Sequence, residues 1–305
     1  MIVAVTGATG FVGGAVTRLL LRRGHDVRVL VREPGRAGGL ADLGGVELVP
    51  GHLHEEEALA ALVAGSDVVV HLVGIISETR GRTFESVHVG GTKRLTAAAK
   101  AAGVRRFVHM SALGARAEAA ATDYHRTKAA GEESVRASGL PHVILRPSIV
   151  AGPGNQAIGM MVDMVRLAPF VPVIGDGLYR LQPVWLGDVA EVFALSVERA
   201  DLGGTFELGG PDQLTWHQML DAIEAALAVE RRRLRVPVGV ARFAALAGLA
   251  LPRLAPISPD QLQMLLEGNT TASNAIDTVF GIRPRPFADV AREICAPFAP
   301  PGAGA

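Results

Sequence analysis

Few folds accommodate the way this chain begins. Ile2-Val3-Ala4-Val5 is a short apolar run of the kind shown by a strand buried on both faces. Thr6-Gly7-Ala8-Thr9-Gly10-Phe11-Val12-Gly13-Gly14 follows at once, and Ala15 to Arg23 then carries helical apolar spacing at Val16, Leu19 and Leu20. Gly24-His25-Asp26 breaks that helix, and Val27-Arg28-Val29-Leu30-Val31 reads as a second buried strand. The stretch is a β-α-β unit with its glycines at the first strand-to-helix turn. There the first helical N–H groups lack intrahelical partners and the helix dipole favours negative charge, so the turn suits a dinucleotide pyrophosphate.

The spacing is Gly7-x-x-Gly10-x-x-Gly13. Gly7 permits a tight turn, Gly10 lets backbone approach phosphate, and Gly13 allows the helix to lie close on the strand. In a chain with 36 glycines such spacing says little alone; the strand before it and the helix after it give it meaning. Thr9, Phe11 and Val12, between and beside the glycines, join the expected cofactor-binding set. Past the second strand stands Arg32, with Glu33 next and Arg36 nearby. A guanidinium there suits a 2′-phosphate, so NADP(H) is favoured, while Glu33 turned to a ribose hydroxyl would suit NAD(H).

Further along, strands at 46–50, 67–72, 106–110 and 141–145 alternate with helices at 55–64, 83–102 and 124–137. That alternation predicts an α/β fold with a doubly wound parallel sheet, a Rossmann domain over 1–152. Past Gly152-Pro153-Gly154 the rhythm changes, with helices near 158–168, 187–199, 214–228, 238–251 and 259–267 and short strands near 171–174, 180–184 and 204–208. Residues 153–299 are expected to form a smaller, mainly helical substrate-side or partner region that also contributes to the first domain. The Pro/Gly/Ala tail at 300–305 is expected to fray. Arg231-Arg232-Arg233 reads as a solvated loop, or as a basic cluster able to touch anionic lipid or an acidic partner beside the apolar 236–251 stretch.

Tyr124-His125-Arg126-Thr127-Lys128 sets a phenol and an ammonium four apart at a helix start, hence on one face. A phenol can donate or accept a proton beside a carbonyl or alcohol, and the ammonium is expected to lower its pKa and to reach the nicotinamide ribose. Formal net charge is zero, which gives no general attraction to nucleic acid. Cys295 is the only cysteine, so no intrachain disulfide forms; with a strand opening the chain and no signal peptide expected, the cytoplasm is the anticipated compartment. No His/Cys ligand spacing points to a metal, and no Gly-x-Ser-x-Gly elbow occurs. No stretch reaches the length of a membrane span, although peripheral contact is compatible.

Together these residues resemble the short-chain dehydrogenase/reductase superfamily, of the extended and atypical type that includes NAD-dependent epimerases and dehydratases. Within it the chain is similar to the branch of NDUFA9-like accessory subunits of respiratory complex I. The resemblance runs through the glycine turn, Val87-His88-Val89-Gly90-Gly91-Thr92, Phe107 to Gly114, Tyr124-x-x-x-Lys128-Ala129-Ala130-Gly131-Glu132, Leu145 to Gly154 and Gln182 to Ala190. It implies Tyr124, Lys128 and Ser111 as catalytic residues, Leu72-Val73-Gly74 and Leu53 on the adenosine side, Pro147 to Ile149 beside the nicotinamide, and Asp188 as a structural helix cap. It also shows departures. Ser111-Ala112 stands where extended members carry two hydroxyls, His52-Leu53 where many carry Asp before an apolar residue, and His88 where Asn is usual. His88 could relay protons or simply be a satisfied helix residue.

The expected activity is an NADPH-dependent reduction of a small apolar carbonyl or quinone-like acceptor, since the segment past 152 is apolar with few polar anchors. The alternatives are a non-catalytic NADPH-binding accessory or assembly subunit in a protein complex, and a sugar-nucleotide epimerase or dehydratase.

Overall fold

The computed structural model describes residues 1–250 and 257–299, leaving aside the side chains of Arg36 and of 248–250. The expected fraying tail at 300–305 and the last residue of the expected helix 238–251 lie outside the described residues. In chain order the elements are β1 (Ile2–Thr6), α1 (Phe11–Arg22), β2 (Asp26–Val31), β3 (Val46–Pro50), α2 (Glu56–Val63) and β4 (Val68–His71). Next come α3 (Thr92–Ala101), β5 (Arg106–Met110), α4 (Asp123–Ala137), β6 (His142–Pro147), β7 (Val150–Ala151), α5 (Gln156–Leu167) and β8 (Phe170–Ile174). They continue with β9 (Arg180–Leu181), β10 (Val184–Trp185), α6 (Leu186–Glu198), β11 (Gly204–Leu208), β12 (Leu214–Thr215) and α7 (Trp216–Leu227). The last are β13 (Arg232–Val236), α8 (Val238–Ala250), α9 (Pro259–Glu267), α10 (Ala275–Thr278) and α11 (Phe287–Cys295).

A seven-stranded sheet runs in the order β11-β6-β5-β4-β1-β2-β3. β1 pairs in parallel with β2 on one side and β4 on the other, and the parallel pairing extends to β3 and to β6. Helices on both faces explain why β1 and β4 are almost wholly apolar and buried. This is the doubly wound Rossmann architecture, and its strand order reverses at β1 and β4, opening a crevice at their carboxyl ends.

The chain forms two compact units. Met1–Pro147 and Val189–Glu207 make the first; Ser148–Asp188 and the chain from Leu208 onward make the second. Within the first unit, Arg106 on β5 donates to the carbonyls of Ser196, Ala200 and Leu202 and so holds the exit of α6. The core of the second unit is built from Ile158, Met161 and Val165 of α5, Val171 and Val173 of β8, Leu220 and Ile223 of α7, and Phe287 and Val290 of α11.

Three local expectations change. The arginine run is no solvated loop: Arg232–Val236 is a strand parallel to β8, Arg231 donates to the Val165 and Arg166 carbonyls, and Arg233 pairs with Asp221 and Glu224. The expected single helix over 83–102 contains a π-helical stretch at Glu85–Gly91 before α3. Asp188 is the third residue of α6, past the N-cap position, and its carboxylate accepts from the Arg285 N–H at 2.9 Å.

Candidate functional site

The glycine turn is built as tightly as its spacing implies. Gly7 has φ +82°, and a Cβ there would lie 2.9 Å from the Leu72 carbonyl carbon and 3.0 Å from the Val73 nitrogen. The Gly10 N–H closes the turn on the Gly7 carbonyl at 2.9 Å, and Gly10 is the N-cap of α1 without a side chain to occupy its free N–H groups. At Gly13 a Cβ would fall 2.0 Å from the Gly7 oxygen, so only glycine lets α1 start this close to β1. A turn with bare helical N–H groups, no side chain in the way and β4 ending beside it fits the pyrophosphate of a nicotinamide dinucleotide. Arg32 follows β2 and is exposed. Leu53 packs under the π-helical stretch, where a Cβ on Gly91 would sit 3.0 Å from its Cδ1, and its carbonyl accepts from Arg94 Nε at 2.8 Å. Neighbouring His52 stacks on His54 with ring centroids 5.0 Å apart.

Helix α4 carries the second half of the site. Thr122 caps it, its Oγ1 accepting from the His125 N–H. Lys128 is buried, and its ammonium donates to the Met110 carbonyl at the end of β5 at 3.1 Å. Its Nζ also lies 3.0 Å from where a Cβ on Gly74 would stand, just past β4. The ammonium thus spans the carboxyl ends of two central strands. Gly131 allows this reach: a Cβ there would lie 2.7 Å from the His88 carbonyl oxygen, so α4 presses against the π-helical stretch. The Thr92 hydroxyl donates to that same carbonyl at 2.7 Å. π-Helical turns recur at functional sites because they displace one residue from the regular ladder.

Electrostatics overturn one expectation. Burial pushes the Tyr124 phenol up to about 12, and no lowering by Lys128 offsets it. Burial lowers Lys128 instead, to about 8, with Glu132 pulling weakly the other way. Tyr124 is therefore a protonated phenol at neutral pH. Its ring stands edge-on to Phe84, His88 and His125 at centroid distances of 5.8, 5.6 and 5.5 Å.

Ser111 is buried and donates to Glu132 Oε1 at 2.6 Å. Arg146 grips the same carboxylate with two bonds of 2.7 Å, and Arg136 adds a third. Burial alone would raise the Glu132 pKa; the bonds from Arg146, Ser111 and Arg136 outweigh it and hold the carboxyl below its ordinary range. With its proton committed, Ser111 Oγ can accept from a substrate but not donate. Pro147 closes β6, its carbonyl taking the Leu113 N–H at 2.9 Å, and Ile149 donates its N–H to Asn269 at 3.0 Å within the second unit.

Reasoning from sequence missed a buried imidazole cluster behind the site. His71 Nδ1 lies 2.6 Å from Thr6 Oγ1 and Nε2 lies 3.1 Å from Thr92 Oγ1. Because the Thr92 proton goes to the His88 carbonyl, His71 carries its hydrogen on Nε2 and accepts from Thr6. His88 accepts the Ile75 N–H on Nε2 at 3.1 Å and faces Thr127 Oγ1 through Nδ1 at 3.0 Å, so its ring is satisfied on both sides. His109 stacks on His71 at 5.3 Å, and neither of its nitrogens has a partner among the described residues. Desolvation, with Lys128 adding to it, drives His71 and His88 down to about 3 and His109 far below its usual value. The sequence signal was slight: His71 and His109 stand in mostly apolar strands and His88 on the expected helix, with nothing in their spacing to bring the three together. Sequence reading also passed over Tyr179 Oη and Trp216 Nε1, two buried polar atoms of the second unit without partners among the described residues. Among the described residues no cluster of three His, Cys, Asp or Glu side chains is placed to hold a metal ion.

A parallel α/β sheet with a bare glycine turn at β1 and a buried lysine across β4 and β5 defines a nicotinamide-nucleotide-binding protein. Comparison with known families agrees: a model described as NAD(P)H-binding matches residues 7–163, and one described as the RmlD substrate binding domain matches 115–272. The chain belongs to this NAD(P)H-binding family of the short-chain dehydrogenase/reductase superfamily, on its atypical, extended side. It is 31% identical over 83% of its length to NADH dehydrogenase (ubiquinone) 1 alpha subcomplex subunit 9, mitochondrial, of Arabidopsis thaliana; the match spans 63% of that subunit. It is 32% identical to the ceramide reductase of Caulobacter vibrioides over 77% of this chain and 74% of that one. In architecture it is similar to a dTDP-glucose 4,6-dehydratase from Streptomyces venezuelae solved with NAD, with TM-score 0.77, 22% identity and coverage of 97% and 96%. Among the described residues no helix is long and apolar enough to cross a membrane.

Proposed function

We propose that this protein is an NADPH-dependent reductase acting on a small apolar carbonyl or quinone-like acceptor. One observation carries the reading: the Lys128 ammonium, four residues past Tyr124, lies buried where β4 and β5 end, in the same unit as the bare glycine turn. When bound, the cofactor supplies the hydride. Gly7, Gly10 and Gly13, with Thr9, Phe11 and Val12, would hold its pyrophosphate, and Arg32 its 2′-phosphate. Leu53 and Leu72-Val73-Gly74 would line the adenosine, Lys128 would hold the ribose, and Pro147 and Ile149 would border the nicotinamide. Tyr124 Oη keeps its proton near neutral pH and so serves as an acid, donating to the acceptor oxygen. That favours reduction, and the Caulobacter relative is named as a reductase. Ser111 enters as an acceptor held in place by Glu132. For compartment we favour the cytoplasm, at the inner face of a membrane.

Calorimetry is expected to find NADPH bound more tightly than NADH. Tyr124→Phe is expected to cut turnover of an apolar ketone or quinone by about 10²–10⁴ while nucleotide affinity stays the same. Full turnover in that variant would remove Tyr124 from the chemistry.

A second reading, a non-catalytic NADPH-holding subunit, is favoured by Ala112 at the second hydroxyl position and by the commitment of Ser111 to Glu132. The Arabidopsis relative is named as a subunit of NADH dehydrogenase. NADPH that co-purifies, never exchanges and is oxidised by no acceptor would favour it. An epimerase or dehydratase draws support only from architecture shared with proteins of such names, and Ala112 lacks the hydroxyl that those chemistries use.

A further inference from the structure

Helix α8 wears its larger apolar side chains on the outside. Its inner face is Ala241 and Ala245, packed with Leu262 and with Ile174, Val236, Ile257 and Leu266 around them. Val240, Phe243 and Leu246 point away from that cluster and are 57%, 75% and 58% exposed. Spaced by three, they share one arc of the helix of about 120°. A helix whose whole purpose was to complete a core would place the phenylalanine and leucine inward and the alanines outward. The exposed surface continues onto the ribbon of β8 and β13. Parallel register sets Arg232 beside Phe170 and Leu234 beside Pro172, on the face whose other end, Ile174 and Val236, underlies α8. Phe170 and Leu234 are both about half exposed.

Charge completes the pattern. Residues 231–247 hold five arginines and no acidic residue. Arg231 and Arg233 are engaged within the unit. Arg232 and Arg242 are exposed and make no ion pair among the described residues, and Arg235 lies on the other face of the ribbon. A surface of large apolar side chains flanked by unpaired guanidinium groups of one sign matches the interface of an anionic bilayer. There acyl chains accept the rings and lipid phosphates take the cations.

We propose that this face of the second unit docks on membranes containing anionic phospholipid, Val240, Phe243 and Leu246 entering the head-group boundary while Arg232 and Arg242 meet lipid phosphates. α8 lies along the surface; its 13 residues are too few to cross. The proposal rests on the foregoing reading only for the side of the membrane concerned, and holds whether or not Tyr124 turns over substrate.

Flotation of the full chain with vesicles of phosphatidylcholine plus phosphatidylglycerol, against phosphatidylcholine alone, tests it. Binding is expected only to the mixed vesicles and weakens as salt rises. Replacing Arg232 and Arg242 together by Gln is expected to lower partitioning about 25-fold, at roughly fivefold per cation. The double variant Phe243→Ser, Leu246→Ser is expected to lower it at least about tenfold. Both variants should keep the wild-type melting temperature and NADPH affinity. No binding, equal binding to both vesicles, or variants that float like the parent would overturn the proposal. So would a dimer in solution that Phe243→Ser dissociates without any vesicle binding, since a second copy would then cover the face.

Discussion

Lys128 pays for its position with a proton. Burial lowers its pKa to about 8 from an ordinary value of 10.5. Between those values the unfolded chain holds a proton that the folded chain has released, so stability rises with pH across that window and the cost stands in full below pH 8. Urea unfolding of the wild type is therefore expected to show roughly 3 kcal/mol more stability at pH 10.5 than at pH 7 from this group, and Lys128→Met to lose that rise. Parallel pH profiles for the two proteins would refute the assignment. The Tyr124–Lys128 pair could be read from its spacing, because i and i+4 share a helix face. The direction of the Tyr124 shift could not, because desolvation depends on what packs around the ring and no spacing encodes that. Nor could the bond from Ser111 to Glu132, which joins residues 21 apart through the meeting of β5 and α4.

Helices and strands carry their own tests. Gly13→Ala and Gly14→Ala add the same methyl one residue apart on α1, and each gains about 1 kcal/mol of helix propensity. At Gly13 the methyl meets backbone at 2.0 Å; at Gly14 it meets the movable end of Arg18 at 3.0 Å and the Ala8 carbonyl oxygen at an ordinary 3.7 Å. Thermal melts should show Gly13→Ala less stable by about 1–3 kcal/mol, with nucleotide binding lost, and Gly14→Ala unchanged or slightly more stable. Similar melts for both would mean that α1 can retreat from β1. The central strands of the sheet, β1 and β4 above all, stand out in the sequence because burial on both faces makes them nearly continuous apolar runs. β13 does not, because Arg232, Arg233 and Arg235 mask its pairing with β8. The π-helical stretch leaves no mark in apolar spacing, since it rearranges carbonyls instead of side-chain chemistry. α11 was open to detection: Phe287, Val290, Ala291 and Cys295 recur at helical intervals and all are buried.

At the scale of the whole molecule, three imidazoles closed in without charge make the native state sensitive to acid. His71 and His88 titrate near 3 when folded and near 6.5 when unfolded, so their contribution is intact above 6.5 and is lost as pH falls toward 3; His109 acts in the same direction. Several kcal/mol should drain away across that range. His109→Leu, which removes a ring whose nitrogens have no hydrogen-bond partner among the described residues, is expected to make the loss shallower in denaturant titrations at pH 7 and pH 4.5; an unaltered slope would show that His109 takes up no proton on unfolding. The first unit also closes late in sequence, since it includes Val189–Glu207 as well as Met1–Pro147, and β11 flanks β6. A ribosome works from the amino terminus, so the nascent sheet waits with β6 as a bare, apolar margin while everything between Pro147 and Gly204 is translated. During synthesis, that unpaired margin is where a stray strand or a chaperone would first find this chain.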